Sequence, residues 1–301
     1  MPDIREIRER INSIKDTQKV TDAMYMIAST KLRKARNELD STRPYFEAIS
    51  KEIKNILRID SRLESRFFYP PSGVDELKPP YGYLVITSDK GLAGSYNMQV
   101  LKETEKQFRM HGEGKLFVVG EFGRRYFRKR KIPIVEDFDF SPENVDLERA
   151  REITRYVMSF YEKGEINKLY LVYTDLRSAV YQMASFDRIL PFHRADFHSP
   201  EEKEKKQLSS EYTFYPSMNA ILVRLVESYV TGFIYSALVD SYCCEQNSRM
   251  NAMDEANKNA ESILAELSVQ YNHVRQGKIT QEITEISAGA KALRRKKAHK
   301  V

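Results

Sequence analysis

Between residues 4 and 56, apolar positions recur in alternating steps of three and four. They are Ile4, Ile7, Ile11, Ile14, Tyr25, Ala28, Leu32, Ala35, Leu39, Phe46, Ile49, Ile53 and Ile56, with Gln18, Thr21 and Thr42 as the polar members of the series. A seven-residue repeat held this long predicts a left-handed coiled-coil seam. At 1.5 Å per residue the helix would run roughly 80 Å. Pro44 is the local conflict. It has no N–H, so it is expected to kink the helix or leave one carbonyl unbonded.

The other end of the chain repeats the pattern. Met253, Ala256, Ala260, Ile263, Leu267, Gln270 and Val274 keep the spacing. Upstream, Ile221, Leu222, Leu225, Val226, Tyr229, Phe233 and Ala237 form a wider apolar face. The phase slips around Gly277, and Ile279, Ile283, Ile286, Ala290 and Leu293 resume it. Two core helices of an all-α bundle would carry the same spacing, but helices this long are uncommon there. An antiparallel pair lets the two ends bury their stripes on each other.

The breakers sit between these ends. No Gly precedes Gly73, no Pro lies between Pro2 and Pro44, and none follows Pro216. Gly and Pro cost about 1 and about 3 kcal/mol inside a helix, so the middle is expected to be a globular insert. The segment YGYLVITSD reads as a strand, Met98–Met110 as a helix, Lys115–Val119 as a strand and Leu147–Tyr161 as a helix. Lys168–Thr174 reads as a strand and Val180–Leu190 as an extended segment. Strands alternating with helices predict a small parallel or mixed sheet covered by helices. The expected organisation is an N-terminal helix over 1–58, a linker over 59–80 and an α/β domain over 81–193. A polar return linker over 194–211, a C-terminal helix over 212–293 and a basic tail over 294–301 complete it.

Composition changes this picture little. The chain has 301 residues with a net charge of +6. Arg294, Arg295, Lys296, Lys297 and Lys300 supply five of those charges, leaving +1 for the rest. No apolar run approaches the roughly 20 residues of a membrane-spanning helix. The start of the chain has neither a secretory apolar region nor the acid-poor character of a transit peptide. The two cysteines, Cys243 and Cys244, are adjacent and read as packing residues in a reducing setting.

Candidate chemistry is sparse. The stretch Ser88-Asp89-Lys90-Gly91-Leu92-Ala93-Gly94 follows a strand, as phosphate loops do. Its glycines are spaced G-x-x-G, unlike either nucleotide fingerprint, and its lysine precedes them. A tight strand-to-helix connection is the better reading. His111, His193, His198, His273 and His299 make no metal-ligand pattern. The chain offers no catalytic constellation and calls for no cofactor or metal.

At the ends the sequence is more specific. The blocks DIREIRERINSIKDTQKVTDAMYMIASTKLRKA and SRMNAMDEANKNAESILAELSVQYNHVRQGKITQEITEISAGAKAL resemble the opening and closing helices of the gamma subunit of F-type ATP synthases, bacterial type. SDKGLAGSYN resembles that family's loop after the first strand of its middle domain, with Ala93 where the family commonly has Cys. The resemblance covers effectively the whole chain. It implies an antiparallel coiled coil with an inserted Rossmann-like α/β domain. It further implies a noncatalytic central-stalk rotor that couples ion-driven rotation of the membrane c ring to ATP synthesis on the beta subunits. Three alpha and three beta subunits, epsilon and the c-subunit ring are the implied partners. The implied location is the cytoplasmic side of the cell membrane, as a peripheral protein. Met24, Lys31, Arg33, Lys34, Arg249, Arg275, Gln276, Thr280, Gln281 and Glu282 match family positions that pack within the shaft or touch the alpha and beta subunits.

Between Arg5 and Arg36 there are nine basic and four acidic residues. These charges fit exchangeable contacts with acidic stator segments, and they equally fit simple solvation of a helix. A rival reading is a basic coiled-coil scaffold or nucleic-acid-binding protein acting through the tail. The tail lacks aromatic stacking residues, which counts against it.

Overall fold

The computed structural model describes residues 3–59, 65–69, 77–112, 114–143, 146–176, 182–193 and 214–298. The expected return linker, most of the 59–80 linker, His198 and the end of the tail lie outside these residues. The elements run α1 (Ile4–Ile59), β1 (Tyr81–Ile86), α2 (Tyr96–His111), β2 (Gly114–Val119), α3 (Glu121–Lys129), α4 (Leu147–Glu162), β3 (Leu169–Leu176), β4 (Gln182–Leu190) and α5 (Met218–Ala298). The chain divides into two compact units. One comprises Met1–Ile27 with Met250–Val301, and the other Ala28–Arg249.

The two-helix unit follows the seam read from α1. Ile4, Ile7, Ile11, Ile14, Gln18, Thr21 and Tyr25 are buried or half-buried, and the positions between them are exposed apart from Met24. Thr21 is tied to the Asn257 side chain, and Asn257 also donates to Asp22 Oδ1. Val274, the last half-buried residue among those of α5 whose side chains are described, lies 17 residues beyond Asn257, and Ile4 lies 17 before Thr21. That symmetry makes the pair antiparallel. On α5 the covered positions are Met253, Asn257, Ala260, Leu264, Leu267, Tyr271 and Val274, with Ala256 beside them.

This corrects the expected seam at two places. Ile263 and Gln270 are exposed, and Leu264 and Tyr271 take their places. Steps of three-four and four-three fit the sequence equally well, and Asn257 facing Thr21 selects the second. A further correction concerns the segment past Gly277. Ile279, Ile283 and Ile286 are 48%, 59% and 72% exposed, because α1 begins at Ile4 and no opposing helix remains among the described residues. The helix itself continues through Gly277 without interruption.

In the α/β unit the sheet order is β2-β1-β3-β4, with β2 and β3 parallel to β1 and β4 antiparallel to β3. Side chains alternate between two cores, as a pleated sheet covered on both faces requires. Leu84, Ile86, Phe117, Val119, Leu169 and Leu171 pack with α4 and with the inner parts of α1 and α5. Tyr83, Val85, Leu116, Val118, Tyr170 and Val172 pack with Val100 and Leu101 of α2 and Phe127 of α3.

The helix α3 was not anticipated from EFGRRYFRK, which is short, strongly polar and interrupted by Gly123. Its buried side is Gly123, Arg124 and Phe127. Arg124 is held by the carbonyls of Phe138 and Glu136, which pins the following loop. Gly120, before α3, has φ +91°, and a Cβ there would lie 2.3 Å from the Thr87 carbonyl oxygen.

Within this unit α1 and α5 pack through Ile49, Ile53, Ile56, Leu222, Val226, Val230 and Ile234, all buried. A Cβ on Gly232 would lie 2.1 Å from Phe46 Cδ1, so only glycine permits this approach. Pro44 lies inside α1, which continues past it. The Asp40 carbonyl therefore lacks its helical donor.

By length and composition α5 does pass the measure of a membrane-crossing helix, which the expectation above missed. Its most apolar 18-residue window reaches mean hydropathy 1.4, and half of that window is buried inside the protein. The apolar residues of this region, Leu222 to Cys243, belong to the core just described.

Candidate functional site: the strand–loop junction on the C-terminal helix

In an open sheet with parallel strands, ligands settle beyond the carboxyl ends of the strands, where neighbouring connections diverge. Here that place follows β1, between β2 and β3, and the loop Ser88–Ser95 occupies it. Its inner side is tied by Asn97, whose Oδ1 accepts from the Ser88 backbone N–H at 3.0 Å. Asp89 accepts from the Glu121 N–H at 3.0 Å and from the Ser141 hydroxyl at 2.5 Å. Asp89 therefore serves as an acceptor at the start of α3, where the helix dipole favours negative charge.

The outer side of the loop rests on α5. Ala93, Tyr96 and Cys244 form a small buried cluster with Leu176 at its edge. The Thr174 N–H donates to Ser241 Oγ at 3.2 Å, and the Cys244 thiol donates to the Thr174 carbonyl at 3.8 Å. Arg249 Nη2 donates to the Gly91 carbonyl at 3.2 Å and lies 2.6 Å from Glu245 Oε1. Burial holds the Glu245 carboxyl above the usual carboxylate range, with Arg249 pulling it back. The crevice that a doubly wound sheet offers to a nucleotide is thus filled by side chains of the protein's own helix.

The remaining expected contact residues do not converge on this place. Met24 is half-buried, while Arg275, Gln276, Thr280, Gln281 and Glu282 are exposed along α5. Thr280 donates to the Gln276 carbonyl at 2.9 Å, and Gln281 donates to Glu285 Oε1 at 2.9 Å. Lys31, Arg33 and Lys34 are exposed on α1, with Lys34 3.8 Å from Glu38. Sequence reasoning singled out Arg249 but missed Glu245. The available signal was their separation by one helical turn.

A protein-family model described as ATP synthase matches residues 3–293. A protein named ATP synthase gamma chain from Ruminiclostridium cellulolyticum is 37% identical over 291 residues, 96% of this chain and 98% of its own length. The chain belongs to the ATP synthase gamma-chain family. Another member, named ATP synthase gamma chain, sodium ion specific, from Acetobacterium woodii, is 34% identical across 96% of this chain and 98% of its own. A chain in the structure of the Euglena gracilis mitochondrial ATP synthase, OSCP/F1/c-ring, rotational state 3, shares the fold. Its TM-score is 0.65 at 16% identity, over 96% of this chain and 94% of that one. A gamma chain is the central-stalk subunit of its synthase and has no catalytic site of its own. The filled crevice agrees with that role, and the nucleic-acid reading is not favoured.

Proposed function

We propose that this chain is the rotor shaft enclosed by three alpha and three beta subunits, with its α/β unit docked on epsilon and the membrane c ring. Rotation of the ring, driven by ion flow, turns the shaft and drives the beta sites in sequence through different nucleotide affinities. The complex sits on the cytoplasmic side of the cell membrane, and the chain is peripheral to the bilayer through it.

The observation that carries this reading is the end of α5. Beyond Val274 the helix keeps an apolar row of Ile279, Ile283 and Ile286 that no helix covers among the described residues. Arg275, Gln276, Thr280, Gln281 and Glu282 are exposed on the same stretch. A row of isoleucines in water is unfavourable by about 25 cal/mol per Å², and enclosing subunits relieve that cost. The polar residues between them make contacts that exchange as the shaft turns.

The test is co-expression with cognate alpha, beta and epsilon subunits. One copy of this chain should co-purify with three of each large subunit, and replacing Ile279, Ile283 and Ile286 by Ser should weaken that association without unfolding the α/β unit. A chain that never co-purifies with alpha and beta overturns the reading. Deleting Arg294–Val301 should change the ATPase rate while leaving assembly intact.

A further inference from the structure

A cleft of about 160 Å³ opens among α1, α4 and α5 of the α/β unit, away from the loop junction. Three guanidinium groups line it: Arg151 and Arg155 from α4 and Arg224 from α5. Arg151 and Arg155 share a single counter-charge, Glu148, at 3.2 and 3.1 Å. Arg224 has no ion pair or hydrogen bond among the described residues, though Glu227 also lines the cleft. Phe46 and Leu147 form its apolar wall, and Tyr45 and Ser228 add hydroxyls. Leu147 is the first residue of α4, whose terminus is capped by Asp146 accepting from the Arg149 N–H.

We propose that this cleft is a binding site for a phosphate group. Among the lining residues three guanidinium groups meet one carboxylate, Glu227, with Glu148 and the cap Asp146 outside the lining, and that lining favours an anion. Guanidinium forks and hydroxyls together match an oxyanion with several acceptor oxygens. The volume is well below the roughly 300 Å³ at which pockets begin to hold drug-sized ligands. It therefore takes the phosphate and not the body of a nucleotide. The three guanidinium groups are exposed at the rim of the cleft, where an anion reaches them from solvent and salt screens the contact. No residue of the filled crevice takes part.

The test uses the purified full chain titrated calorimetrically with inorganic phosphate, against sodium chloride at equal ionic strength. Saturable phosphate binding accompanied by a rise in melting temperature is expected. Arg224→Ala should weaken it at least tenfold, the loss of one charge-assisted hydrogen bond. Arg224→Lys, which keeps the charge but not the fork, should fall between. Glu227→Gln should tighten binding severalfold, an effect that a purely structural role for these residues would not produce. An ADP arm separates the sources. ADP binding tighter than phosphate, and lost in Arg224→Ala, assigns the group to a nucleotide terminus, and equal or weaker binding assigns it to the free ion. Heat no greater than that of chloride, unchanged affinity in Arg224→Ala, or binding of polyglutamate in place of phosphate overturns the proposal.

Discussion

Glu245 and Arg249 form an ion pair one turn apart on α5, 2.6 Å between Oε1 and Nη2, with side chains only 8% and 12% exposed. Arg249 also donates to the Gly91 carbonyl, so one guanidinium joins the helix to the loop. Removing it leaves a buried carboxylate alone. Arg249→Ala should destabilise the chain by about 3–5 kcal/mol in denaturant unfolding. The double variant Glu245→Leu with Arg249→Met should lose much less, since well-packed apolar replacements of buried pairs are often close to neutral.

That pair has a pH signature. Burial raises the folded pKa of Glu245. A raised carboxyl contributes stability that is complete below its unfolded pKa and is lost as pH rises through the folded value. Without Arg249 the rise is larger, so the loss extends to higher pH. The stability gap between wild type and Arg249→Ala should therefore be smaller at pH 5 than at pH 8, measured by urea unfolding. An equal gap at both values would remove Glu245 from the explanation.

Cross-linking tests the corrected seam. In the register set by Thr21 and Asn257, Ile14 falls opposite Leu264, and Ile263 faces outward. Cysteines at Ile14 and Leu264 should join under mild oxidant, seen as a mobility change on nonreducing gels. Cysteines at Ile14 and Ile263 should not. The native thiols will not interfere, because burial pushes Cys243 up to about 11 and Cys244 further. A thiol reagent should find neither cysteine in the folded chain and both after unfolding.

Two glycines should respond in opposite directions. Gly120→Ala meets both a left-handed φ and the Thr87 carbonyl at 2.3 Å. It should cost about 3 kcal/mol or more, read as a lowered melting temperature. Gly277→Ala meets nothing within 4 Å and lies inside α5. It should favour the helix by about 0.5–1 kcal/mol and raise its circular dichroism signal.

The sequence carried most of the fold because its strongest signals are periodic. The seam of α1 was legible from Ile4 to Tyr25, and the alternating cores of β1 and β3 follow from short apolar runs bounded by turn residues. What escaped depended on contacts distant in sequence. The choice between Ile263 and Leu264 rests on which residue of α5 meets Thr21, and both alternatives keep a heptad. The helix α3 was hidden because its burial is made by Gly123, Arg124 and Phe127, of which only the last is apolar. The loop Ser88–Ser95 was read as a connection, which it is, but its docking on α5 joins Gly91 to Arg249 across more than half the chain. No local pattern encodes that. Glu245 was missed for the same reason, since an ion pair one turn apart is ordinary on a solvated helix and informative only once buried.

The uncovered isoleucines beyond Val274 bear on the life of the chain before it meets its partners. A newly made copy displays Ile279, Ile283 and Ile286 to every holdase and protease in the cell. Exposed apolar patches of this kind mark chains for aggregation or degradation. If enclosing subunits cover this tip as proposed, a copy made without them should be cleared faster than an assembled one, read as a shorter half-life in a pulse-chase.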